Sequence, residues 1–151
     1  MLRKVQQQTY IQASFWVASA AVGSMAVLYA RLVNGVLNTY FTFFNQHPYV
    51  MTTATPFLFI LAAYIVVNFG PDAKGSGIPQ VLEAISHTKN KQFEDKNNPL
   101  VSIRTAIFKI LSSLVGFIAG ASIGREGPTV QISSSIFSWV SHKMKKKQIP
   151  H

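Results

Sequence analysis

Two long uncharged runs set the pattern of this chain. No charged side chain occurs between Ala13 and Ala30, and after Arg31 none appears until Asp72. A helix crosses the hydrocarbon core of a bilayer with about 20 residues, and inside that core every backbone N–H and C=O must find a partner within the protein, which selects helices. Residues 11–44 are therefore predicted as a first span. The run is longer than a perpendicular crossing needs, so the helix is expected to tilt, with Arg31 a structural cation turned towards protein or an interface. Asn45-Gln46-His47-Pro48 reads as a tight turn, and residues 49–69 as a second span that absorbs Pro56 as a kink. The two spans predict a helical hairpin.

The pattern then shortens. Gly70-Pro71 ends the second span, and Gly75-Ser76-Gly77 precedes an apolar stretch, residues 78–86, too short to cross a bilayer. Pro79 suits its first turn, where a missing N–H costs nothing. Residues 87–99 form a polar surface loop with Lys89, Lys91, Glu94, Asp95 and Lys96. Residues 101–123 read as a third span, interrupted by Lys109 and carrying Gly116, Gly120 and Gly124 at intervals of four, a smooth strip for close helix packing. Gly124-Arg125-Glu126-Gly127-Pro128 then breaks the helix, and residues 129–141 form a short segment before Lys143, Lys145, Lys146 and Lys147.

Charge changes the picture only in one respect. The net charge of +9 over 151 residues would suit a nucleic-acid binder if the basic residues lay among aromatics on one face, but they lie in flanks and loops. Membrane topology accounts for them. The basic regions near Arg3, over residues 74–104 and after His142 are expected on the cytoplasmic side of the cell (inner) membrane, with the turn at residues 45–48 outside. Arg3 and Lys4 before an apolar run faintly resemble a signal peptide, but the run continues too far for one. Absence of cysteine excludes disulfides and thiolate metal sites, and His47, His87, His142 and His151 show no ligand spacing. Gly70 to Ser76 lacks the Gly-Lys pair of a P-loop, and Gly75-x-Gly77 lacks a third glycine at dinucleotide spacing. No catalytic residue, metal or cofactor is expected.

The candidate chemistry lies in the two glycine motifs. Each precedes a short helix, and helix N-termini offer unpaired N–H groups and the positive end of the dipole to an anion. Ser76, between glycines that let a ligand approach the backbone, reads either as a hydroxyl donor to that anion or as a helix cap. A carboxylate at membrane depth is costly to desolvate, so Glu126 reads either as a group that occupies an anion's place and leaves on protonation, or as a helix-start carboxylate paired with Arg125. Lys109, 17 residues before Glu126, either holds positive potential beside an anion path or pairs with a carboxylate.

Lys74-Gly-Ser-Gly-Ile-Pro79, Lys109 and Gly124-Arg-Glu-Gly-Pro-Thr-Val-Gln131 together resemble the N-terminal part of the CLC family of chloride channels and chloride/proton antiporters. The resemblance covers nearly the whole chain. It implies an all-α integral membrane fold of tilted transmembrane helices and short half-span helices, part of the first of two inverted repeats. Residues 1–10 would then be a cytoplasmic flank, 11–142 a partial transmembrane domain and 143–151 a basic cytoplasmic segment. It further implies that Gly75, Ser76 and Gly77 contact chloride at the inner and central positions, that Arg125, Glu126 and Gly127 line the outer position, that Glu126 is the gating glutamate, and that Lys109 matches a basic position in the preceding helix. Chloride would be the transported ligand, with protons the coupled ion of an antiporter, the bilayer and the remaining polypeptide its surroundings, and a homodimer the complete assembly. Segments such as the later Gly-x-Phe-x-Pro motif, the tyrosine closing the central site and an intracellular proton-transfer glutamate are not in this sequence, which the resemblance therefore marks as a fragment. Two other readings compete with it: a small membrane protein that makes pores by oligomerising, and a membrane anchor whose cationic tail binds anionic lipid or a partner.

Overall fold

The computed structural model describes residues 2–89 and 98–146, and among these the regular elements are helices. The first, α1, runs unbroken over Leu2–Gln46. Its 45 residues reach about 68 Å at 1.5 Å per residue, more than twice a hydrocarbon core. Residues 2–10, expected as a flank, continue the same helix. Within α1 the segment Phe15–Gln46 is strongly apolar, and the second helix, α2 over Pro48–Phe69, is more so. Both are long and apolar enough to cross a membrane.

The turn between them is tighter than the four residues expected. Only His47 stands outside a helix, because Pro48 can open α2 without an N–H and Met51 N already donates to His47 O at 3.2 Å. Pro56 lies inside α2, which continues through it. The two helices touch little, so the expected hairpin is not a packed pair: α1 lies against two later helices, α4 (Ile103–Ile118) and α5 (Glu126–Lys146), while α2 lies against α4. Along one stripe of α2, Phe57, Ile60, Tyr64 and Val67 are exposed, which is the surface that hydrocarbon tolerates and water does not.

A 3₁₀ turn over Pro71–Ala73 follows α2 and leads to α3, Ile78–Lys89. The 12 residues of α3 rise about 18 Å, too short to cross. Of the polar loop that follows, residues 90–97 lie outside the described residues. The chain resumes in a 3₁₀ turn over Pro99–Val101, capped by Asn98 Oδ1 accepting from Leu100 N at 3.1 Å, and Ser102 caps α4 by accepting from Thr105 N at 3.1 Å.

The third expected span is shorter than its apolar run. α4 ends at Ile118, after 16 residues, about 24 Å. It stops in a Schellman motif: Gly120 sits at φ +79°, its N–H donates to Phe117 O at 3.0 Å, and Ala121 N donates to Gly116 O at 2.9 Å. A side chain at Gly120 would also collide with Tyr40, whose hydroxyl lies 2.5 Å from where a Cβ would be. The glycine strip predicted from Gly116, Gly120 and Gly124 therefore does not exist as a helix face. Gly120 turns the chain out of the helix, and Gly124 stands in open space in the connection that follows.

The last helix is correspondingly longer than expected. α5 takes in Glu126, Gly127 and Pro128 as its first turn and continues through Lys143 to Lys146, where a short segment at residues 129–141 had been predicted. Lys143 remains on the helix with Nζ 4.5 Å from the centre of the Trp139 ring, a cation–π contact. Lys147 and residues 148–151 of the predicted basic segment lie outside the described residues. Where the helices meet, Tyr29 and Val33 of α1, Ala106 and Phe117 of α4 and Ile132 of α5 form the buried core. Its one phenol is satisfied: Tyr29 Oη donates to Ser113 Oγ at 3.0 Å, and Ser113 Oγ donates to Ile110 O at 2.9 Å.

Candidate functional site

Gly77 begins α3. Its carbonyl accepts from Val81 N at 3.2 Å, and its N–H donates to Oε1 of Gln80, three residues on, at 3.1 Å. That is one arm of a capping box. The same amide donates from Nε2 to Lys74 O at 2.7 Å, so Gln80 ties the loop to the helix it precedes. Gly77 is buried, whereas Gly75 and Ser76 are exposed. The N–H groups of Gly75 and Ser76 and the Ser76 hydroxyl have no acceptor among the described residues.

Arg125 begins α5. Its carbonyl accepts from Thr129 N at 3.1 Å and from Thr129 Oγ1 at 2.7 Å. Pro128 has no N–H to leave unpaired, and the N–H groups of Arg125, Glu126 and Gly127 have no acceptor among the described residues. The guanidinium does not pair with Glu126: Arg125 Nη1 donates to Asn34 Oδ1 on α1 at 3.0 Å. The Glu126 carboxylate is exposed in this chain and makes no hydrogen bond or ion pair with the described residues.

Ser76 and Arg125 lie 49 positions apart in the sequence, yet the backbones of the two motifs touch. A Cβ on Gly77 would lie 2.6 Å from Gly127 O and 3.0 Å from Gln131 Cβ, and Gly77 takes φ +104°, a conformation that side chains rarely adopt. A Cβ on Gly127 would overlap Ser76 O and come within 3.3 Å of Ser76 Cβ. Glycine at both positions thus lets the starts of α3 and α5 lie side by side, with the root of the Ser76 side chain beside the first turn of α5. The positive dipole ends of two helices, each with N–H groups that have no acceptor among the described residues, thus lie side by side, and each such end favours an anion.

Two buried side chains hold the meeting point. Lys109 of α4 is 3% exposed and donates from Nζ to Ala73 O at 2.9 Å and to Gly75 O at 2.6 Å. Of the two readings open from sequence, pairing with a carboxylate is not observed among the described residues; the ammonium serves the backbone carbonyls of Ala73 and Gly75. Gln131 of α5 is fully buried, and its Nε2 donates to Asp72 O at 2.9 Å and to Leu100 O at 3.0 Å.

Of the residues singled out from sequence, Gly75, Ser76, Gly77, Lys109 and Gly127 are drawn into one cluster. Arg125 and Glu126 stand at its edge, on the same first turn. Three participants were missed as such: Gln80, Gln131 and Asn34. For Gln80 the signal was present, a glutamine three residues after a helix-starting glycine. For Gln131 it was an amide between Val130 and Ile132 and four residues after Gly127 on the same helix face. Nothing in the sequence links Asn34 to Arg125.

A family model described as voltage gated chloride channel matches residues 58–150. The chain is 27% identical over 147 residues to the H(+)/Cl(-) exchange transporter ClcA of Citrobacter koseri, covering 90% of this chain and 29% of that protein. It is 35% identical over 89 residues to chloride channel protein CLC-a of Arabidopsis thaliana (59% of this chain, 11% of that one), and 29% identical over 136 residues to CLC-b of the same plant (82% and 16%). The chain therefore spans less than a third of the length of these relatives. No solved structure matches it. The two apolar spans, the paired glycine motifs and the family model lead to one conclusion: this chain is a membrane protein that belongs to the voltage-gated chloride channel family.

Proposed function

We propose that these residues form part of the chloride pathway of a multi-pass membrane transport protein, with Ser76 and the free N–H groups at the starts of α3 and α5 as anion contacts and Glu126 as the gate. The observation that carries this reading is the backbone contact between Gly77 and Gly127, which sets two helix N-termini side by side with no side chain between them. An ionised Glu126 competes with an anion for the N–H groups of its own turn; protonation removes the competitor. The N–H of Gly77 is engaged by Gln80, so on this reading Gly77 contributes close approach, and the donors of its motif are Gly75 and Ser76. Lys109 contributes positive charge one residue from Ser76 through its bond to the Gly75 carbonyl.

No bond is made or broken in such a process, so the activity is selective passage and gating, without enzymatic chemistry or a cofactor. Chloride is the transported ion, and proton coupling, as in the exchangers the chain resembles, would act through Glu126. On this reading further polypeptide completes the pathway, the whole protein is a homodimer in the cell's inner membrane, and the basic segments face the cytoplasm. Reconstitution tests it. Liposomes containing the full-length protein that carries these residues should show chloride flux, and liposomes containing these 151 residues alone should show none, since a few N–H groups cannot offset the dehydration of chloride at membrane depth. A silent full-length protein, or a conducting 151-residue chain, contradicts the reading.

A further inference from the structure

Gln131 is chemically conspicuous. It is among the most buried side chains of the chain, yet only half of its amide is satisfied. Both bonds from Nε2 go to carbonyls, Asp72 O in the turn before the first motif and Leu100 O in the turn before α4, which assigns the nitrogen. Oε1 is then left buried without a partner, 3.2 Å from the position of a Cβ on Gly77. A buried acceptor without a donor weakens folding, and here the two carbonyls that the same amide satisfies offset that penalty. What distinguishes the residue is which two carbonyls it joins.

The position of the residue says what its role is. Gln131 follows Gly127 by four residues, so the two share one face of α5, and Gly77 packs on that face against both. The amide reaches past this contact to both 3₁₀ turns at once. It therefore links the helix that carries Glu126 to the loop that carries Ser76 and to the root of the helix that carries Lys109. We infer that Gln131 is a positioning residue that sets the spacing between the two anion-facing motifs without touching the anion. The inference rests on the anion-pathway reading above.

The test compares chloride binding and the chloride-to-nitrate preference of flux in the full-length protein, each normalised to folded protein. Gln131→Met keeps the length and removes both donors; Gln131→Asn keeps the amide but is too short to bridge both turns. Ile132→Val trims the neighbouring core residue and serves as the control for stability alone. Both Gln131 variants should bind chloride more weakly by about 2- to 30-fold, the range seen for substitutions acting through packed networks, and should shift the nitrate preference, whereas Ile132→Val should lower thermal stability only. If Gln131→Met does not fold, Gln131→Asn decides. Wild-type affinity and preference in the folded variants overturns the inference while leaving the pathway reading intact. A wild-type protein that binds no chloride removes both.

Discussion

Lys109 donates from Nζ to the carbonyl oxygen of Gly75 at 2.6 Å, and the same ammonium reaches Ala73 O at 2.9 Å. One buried cation thereby fixes the loop whose next residue is Ser76. The bonds shape the first glycine motif, and the charge stays beside it.

Replacing that cation should loosen the motif. Lys109→Met leaves the buried Ala73 carbonyl without its donor, a loss of about 1–3 kcal/mol, and frees the part-buried Gly75 carbonyl, so the full-length protein should melt earlier in detergent and bind chloride more weakly. Lys109→Arg should restore little, because a planar guanidinium does not occupy the space of a compact ammonium. Thermal denaturation with and without chloride checks both, and a Met variant with wild-type midpoint and affinity would refute the anchoring role.

The glycines are expected to divide sharply. Gly77→Ala meets Gly127 O and a left-handed backbone, together about 3 kcal/mol or more of destabilisation. Gly127→Ala meets the Ser76 carbonyl and should be comparably damaging. Gly124→Ala has open space around it and should change stability by no more than about 0.5 kcal/mol. Folded yield after detergent extraction ranks the three, and equal yields would mean that the motifs do not meet as described.

Much of this was legible in the sequence, for identifiable reasons. Uncharged runs mark the apolar spans within α1 and α2, because hydrocarbon excludes charge, but not the start of α1, which takes in Arg3 and Lys4. The pairing of the glycine motifs was legible through their resemblance to a family, since contact between Ser76 and Gly127 cannot be read from their separation. The end of α4 was not legible. Residues 116–124 are uncharged, with Ser122 their one polar side chain, and only the packing of Tyr40 against Gly120 and the bonds of the turn reveal that the chain leaves the helix there. α5 outruns its apolar segment because lysine is a good helix former and is favoured near a helix C-terminus, so a basic run does not by itself mark a loop. The partners of Lys109, Gln131 and Arg125 are tertiary facts with no local trace.

Ser76→Ala should leave transport measurable while altering selectivity. One hydroxyl donor is lost, about 1–3 kcal/mol if its partner is a desolvated anion, and the backbone donors around it remain. Chloride affinity and nitrate preference in the full-length protein provide the measure; no change in either would return Ser76 to the role of a helix cap.

The most direct measurement is anion flux through the full-length protein from about pH 4 to 8, for wild type and Glu126→Gln, normalised to folded protein. If the carboxylate competes with chloride for the N–H groups at the start of α5, acid neutralises the competitor and wild-type flux should rise as pH falls. More external chloride should shift that rise, as linkage between proton and anion occupancy requires. The Gln variant, which imitates the protonated acid at every pH, should show high flux with little pH dependence. Parallel curves for the two proteins would contradict the account and leave Glu126 a carboxylate that merely stabilises a helix start.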